Sequence, residues 1–165
     1  MVAGLTAWAA KLGVTEIDFQ TDDEPSLKAL MVKVKAKSEA VKIDLQHSSA
    51  YSKASNGAAE RVHSTIAGLV RTLTSSVKRR FKVVLRADDR IVTWAVRHAA
   101  WLYARFHRRV DTKQTPFQAT QGKAYDKPIL DFAECCHYRL EDALGQGKLA
   151  PRWQLGLWVG KEEHG

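Results

Sequence analysis

The sequence contains no long apolar run. Its apolar runs, such as residues 7–10, fall far short of the roughly 20 apolar residues that span a bilayer, so no membrane segment is expected. Cysteine is almost missing. Cys135 and Cys136 are neighbours, which excludes both an ordinary disulfide loop and a Cys-x-x-Cys zinc half-site; they read as plain strand residues in a reducing compartment. The first residues lack the basic start of a signal peptide and suit an amphipathic helix better, so secretion is not expected. His47, His63, His98, His107, His137 and His164 show no ligand spacing, and each reads as a solvated or packed residue. Internal repeats and low-complexity tracts are absent too.

What is present is a chain with 45% hydrophobic and 27% charged residues, the composition of a soluble globular protein. Its 165 residues suffice for one domain, or one domain with a small appendage. The net charge of +8 is unevenly placed. Residues 61–110 hold 12 Lys/Arg against 2 Asp/Glu, whereas residues 1–60 and 111–165 each hold 7 against 8. A basic stretch that directly follows an acidic one suggests a polyanion held beside a cation-binding site, with nucleic acid the leading partner.

Residues 5–12 form a short helical pattern closed by Gly13, and residues 15–21 alternate like a strand that leads to Asp22-Asp23-Glu24. Pro25-Ser26 opens a helix to about residue 36, with Leu27, Leu30, Met31 and Val34 on one face. A second strand follows at residues 41–45, then a polar loop over residues 47–57. From residue 58 a long helical pattern begins, about 36 Å long if it reaches Phe81. Val62, Ile66, Leu69, Val70, Leu73 and Val77 line its core side, and its other side displays Glu60, Arg61, His63, Ser64, Arg71, Thr74 and Lys78. A further helix is predicted over residues 91–107 with Trp94, Ala95, Ala99, Leu102, Tyr103 and Phe106 packed inward, and a short one runs from Thr115-Pro116 to Gln121. Strands at residues 132–140 and 155–159 close the chain. The order of elements argues for an α/β layer fold.

Two carboxylates stand out in that layout. Asp22 lies where a strand ends, and Glu60 lies in what the pattern makes the first turn of a long helix after the next strand. Ligands of α/β sheets collect at strand ends, and hard oxygen ligands of this kind bind Mg²⁺ or Mn²⁺. The plainer alternative is that Asp22 or Asp23 caps the helix after Pro25 and that Glu60 only offsets a helix dipole.

Residues 48–66, with Tyr51, Ser55-Asn56-Gly57 and Glu60-Arg61 in sequence, closely resemble the loop and helix of retroviral and retrotransposon integrases that carry the last catalytic Glu. Gln20-Thr21-Asp22 resembles the segment of the second catalytic Asp, although Asp23-Glu24 stands where the family has Asn-Gly. Downstream, Thr115-Pro116-Phe117, Gly122-Lys123 and Lys127-Pro128, then Lys148-Leu149-Ala150-Pro151-Arg152 and Val159-Gly160, are similar to the end of the copia-type core and the tail after it.

This resemblance implies a partial ribonuclease H-like fold, the second half of an integrase core, over residues 1–125, with a small β-rich extension over residues 126–165. It implies Asp22 and Glu60 as catalytic and metal-ligating residues for Mg²⁺ or Mn²⁺. It implies duplex DNA as partner, met by Tyr51, Asn56, Arg61, His63, Ser64, Arg71, Lys78, Arg79, Arg80 and Lys82. The activity implied is metal-dependent 3′-end processing and strand transfer by a homo-oligomer in the nucleus, with a cytoplasmic phase during element replication. The strand bearing the family's first catalytic Asp is expected to precede the present residues, because Asp18 lies inside the strand that leads to Asp22; the chain alone is therefore expected to be inactive. The alternative is a non-catalytic DNA-binding or assembly module derived from an integrase.

Overall fold

The computed structural model describes residues 6–7, 13, 15–21, 24–38, 41–47, 53–139 and 152–161, with the backbone alone at 47 and 53–56. The chain divides into two compact units, Met1–Val62 and His63–Gly165. Of the short helix expected at residues 5–12, Thr6 and Ala7 are described, and both are helical.

In the first unit, β1 (Glu16–Thr21) and β2 (Lys42–His47) pair in parallel, from Glu16 opposite Lys42 to Thr21 opposite His47. Parallel neighbours need a crossover, and α1 (Pro25–Lys37) supplies it. The period-2 pattern of the strands meets the helical pattern of α1: Met31, Val34 and Ile43 are buried together, with Phe19, Leu30 and Leu45 packed against them. The polar positions form a charge ladder. Lys42 donates to Glu16, its pair partner, and lies 3.2 Å from Asp44, which Lys35 approaches at 3.4 Å. The N-cap position of α1 belongs to Glu24, whose side chain makes no capping bond, and Pro25 occupies the first turn, where no backbone N–H is required.

α2 (Lys53–Phe81) crosses the division between the units, and α3 (Arg90–Phe106), α4 (Pro116–Gln121) and the antiparallel pair β3 (Glu134–Arg139) and β4 (Trp153–Trp158) belong to the second. Val77, Ala95, Phe132 and Ala133 form the buried centre of that unit, with Val70, Leu73, Leu85, Ile91 and Val159 around it. Full burial of a side chain the size of Val77 contributes about 1.5–3 kcal/mol. The segment after residue 125 is thus tied to α2 and α3 through Phe132, Ala133 and Val159. Ala133 takes a left-handed φ of 60° so that its N–H can reach the Trp158 carbonyl at 2.8 Å. α4 begins with a capping box: Thr115 Oγ1 accepts from the Gln118 N–H, and the Thr115 N–H donates to Gln118 Oε1. Gly122, at φ 71°, closes it in the left-handed conformation that glycine adopts without a Cβ penalty.

Two expectations need correction. The helix expected from residue 58 begins at Lys53, so Asn56 and Gly57 are helical and are not part of a loop. Extending an existing helix adds a bond per residue fixed, whereas nucleation is costly, and this outweighs the poor helix propensity of the Ser-Asn-Gly run. In α3 the buried face is rotated from the one expected. Trp94 is 37% and Phe106 48% exposed, while His98 and Trp101 are buried with Ala95 and Ala99. Arg97 lies 4.6 Å from the centre of the Trp94 ring and partners it at the surface.

Candidate nucleic-acid interface

The strongest concentration of uncommitted positive charge in the second unit lies on α2. At about 100° per residue, Val70, Leu73 and Val77 fall on the side that packs into the core, and Gly68, Arg71, Thr72, Ser75, Lys78 and Arg79 fall on the other. That outer side is not flat. Gly68, Arg71, Thr72, Ser75, Ser76 and Arg79 line an open hollow of about 610 Å³. The floor is short hydroxyl side chains and a glycine; the walls are two arginines. Arg71, Lys78 and Arg79 are exposed, and neither arginine has a carboxylate partner among the described residues. Thr72 Oγ1 donates to the Gly68 carbonyl at 3.1 Å, which holds its hydroxyl against the helix.

The other basic residues expected here have different surroundings. Arg80 falls toward the core side of α2, where its Nη2 donates to Asp131 Oδ2 at 2.8 Å. Lys82 lies beyond the end of α2 in a left-handed conformation, φ 59°, with its N–H on the Lys78 carbonyl. His63 and Ser64 are exposed on α2. Arg61 is exposed in the first unit, with its Nη1 next to the Cα position of Gly57, 3.7 Å from where a Cβ would stand.

Of the carboxylates, Glu60 is exposed on α2. Because the helix starts at Lys53, Glu60 lies two turns inside it, and no acidic residue occupies its first turn. Dipole effects fade within a helix's first turn, so offsetting the dipole does not account for Glu60. Asp22, Asp23, Tyr51 and the side chain of Asn56 lie outside the described residues. Among the described residues no three His, Cys, Asp or Glu side chains gather as a metal cluster, and no helix is long and apolar enough to cross a membrane. Cys135 and Cys136 are free thiols on β3.

The hollow's floor, Gly68, Thr72, Ser75 and Ser76, was not legible beforehand, since small polar residues on a solvent face carry no periodic hydrophobic signal. The spacing of Thr72, Ser75 and Ser76 at three and four between Arg71 and Arg79 was the available clue.

No family model and no curated protein matches the chain. Among solved structures, the chain is similar to one in the cryoEM structure of simian T-cell lymphotropic virus intasome in complex with PP2A regulatory subunit B56 gamma. The TM-score is 0.50 at 16% identity, over 93% of this chain and 51% of that one. The present chain therefore spans about half the length of the chain it matches. At this identity the likeness is one of fold, and it sets the architecture beside that of a chain from a retroviral intasome complex.

Proposed function

We propose that this chain is part of a retroelement integrase core of ribonuclease H-like fold, and that the outer face of α2 lies along duplex DNA. The observation that carries this reading is the hollow between Arg71 and Arg79 on α2. Two guanidiniums without carboxylate partners among the described residues, eight residues and so about 12 Å apart, flank the Ser75 and Ser76 hydroxyls, which can donate to phosphate oxygens. Phosphate contacts of this kind position a duplex without reading its sequence. The intasome likeness of fold and the integrase-like residues 48–66 support the same reading.

In this reading Glu60, exposed on α2, and Asp22, the residue that follows β1 in the sequence, are the residues that would hold Mg²⁺ or Mn²⁺. Bound in a pair, such ions stabilise the attacking and leaving oxygens of an in-line phosphoryl displacement. Glu60 would supply an exposed carboxylate, and Arg71, Lys78 and Arg79 would bind the DNA backbone. The complete protein works as a homo-oligomer on nuclear DNA.

The test is fluorescence anisotropy of a labelled duplex over a salt series. With about four to six phosphate contacts, the slope of log affinity against log salt is expected near −4 to −5, and Arg71→Ala and Arg79→Ala should each flatten it by about 1. Affinity that does not change with salt would overturn the interface. Glu60→Gln, compared with the parent in a calorimetric Mn²⁺ titration, addresses the metal role separately: equal heats from both chains would remove Glu60 from it.

A further inference from the structure

His98 lies deep in the second unit, 4% exposed, in a box of rings from three parts of the chain. Trp101, one turn along α3, stacks on it at 5.7 Å between centroids. Phe132, just ahead of β3, stacks at 5.7 Å, and Trp158, at the end of β4, meets it edge-on at 5.0 Å. The Gly160 backbone closes the remaining side, so near that a Cβ there would stand 3.2 Å from His98 Nδ1. Nδ1 itself is buried without a hydrogen-bond partner among the described residues.

Five charged groups of the surrounding elements have partners of their own. On α3, Arg97 lies over Trp94 and Arg105 over Trp101. Ahead of β3, Asp131 pairs with Arg80, and Glu134 accepts from the Asp131 N–H. After β4, Lys161 donates to Tyr125 Oη and the Pro128 carbonyl. None of them offers an acceptor to Nδ1.

We propose that His98 is an acid-operated latch: protonation of its imidazole releases the β3–β4 hairpin from α3. A neutral imidazole leaves Nδ1 as a tolerable orphan, but the imidazolium carries N–H donors on both nitrogens and a full charge. Burying that charge and an unpaired donor among apolar rings is costly. Two of the three rings, Phe132 and Trp158, belong to the hairpin end that the Ala133–Trp158 bond holds together, whereas Trp101 shares α3 with His98. Moving the hairpin away therefore admits water to the imidazolium and leaves it the Trp101 face, a cation–π partner. Burial holds the His98 proton affinity below its ordinary value. A folded-state value below the unfolded one means that the closed form is fully favoured above about pH 6.5 and loses ground as the pH falls toward the folded value.

The test is an NMR titration of the whole chain from pH 7.5 to 5.0, following the His98 imidazole and the backbone amides of residues 134–139, 153–158 and 63–68. Expected is a midpoint below 6.5 shared by the imidazole and the hairpin amides, with residues 63–68, which lie outside the Val77–Phe132 cluster, unmoved. His98→Phe should keep the hairpin closed to pH 5.0, and His137→Gln, which removes the exposed histidine of β3, should leave the transition in place. Hairpin amides that stay closed while His98 protonates, or that move with a midpoint of their own, would overturn the latch even if His98→Phe did not fold. So would a transition that disappears in His137→Gln.

Discussion

Arg80 Nη2 and Asp131 Oδ2 lie 2.8 Å apart across 51 residues of sequence, and the pair joins the last turn of α2 to the turn that leads into β3. It diverts one member of the Lys78-Arg79-Arg80 run from solvent to the protein itself. Asp131 is 78% and Arg80 34% exposed at the side chain, so solvent screening limits the pair to roughly 0–1 kcal/mol. Arg80→Ala should lower stability by no more than that in urea unfolding. It should also leave the salt slope of DNA binding close to that of the parent chain, where Arg79→Ala flattens it. Equal effects of the two substitutions on the slope would show that Arg80 faces the duplex after all.

Thr115 is 5% exposed and serves both halves of the α4 capping box. Thr115→Ala removes the acceptor for the Gln118 N–H and should cost about 0.5–2 kcal/mol. Thr115→Ser keeps the hydroxyl and should recover most of the loss. The denaturation midpoints of the two variants settle it: a serine variant as weak as the alanine one would assign the effect to the lost methyl packing.

Hydrogen bonds from Lys42, then Lys35, hold the Asp44 carboxyl below the usual carboxylate value. Because the folded-state affinity for the proton is the lower one, this ladder favours the folded chain above the unfolded carboxyl value and loses that contribution as the pH falls through the folded one. Carbon-detected titration should place the Asp44 midpoint below that of an unfolded reference peptide, and Lys42→Met should raise it. An unchanged midpoint in Lys42→Met would mean that the ammonium seen beside Asp44 does not stay there in solution.

The parts of the fold that the sequence announced are those where one period dominates. α2 carries the apolar run at spacings of three and four and ends at Phe81, four residues past its last position, Val77, and α4 ends at Gln121 as expected from its Thr115-Pro116 start. Where local propensity and tertiary context disagree, context prevailed. Ser55-Asn56-Gly57 reads as loop, yet lies at the start of a helix. In α3, the pattern puts Trp94 in the core and reads His98 as solvated or packed; the rings of Phe132 and Trp158, distant in sequence, enclose His98, while Trp94 lies partly at the surface. The basic face of α2 was legible as charge, but not the separation of Arg80 and Lys82 from Arg71 and Arg79. That separation depends on Asp131 and on the left-handed turn after Phe81, neither of which leaves a periodic mark.

The Arg105 guanidinium lies 4.3 Å from the ring centre of Trp101, 5.2 Å from Phe117 and 5.6 Å from Tyr125, and so rivets α4 to α3 with a cation enclosed by aromatic faces. Mobile ions screen exposed charges within about 3 Å at 1 M salt, but they have little access to a cation sheathed in rings. The second unit thus has a joint and an exposed basic face of opposite ionic character: if α2 binds a polyanion as proposed, concentrated salt is expected to strip it from that face while the Arg105 joint stays closed. In that case the chain is expected to wash free of bound nucleic acid and to be recovered folded.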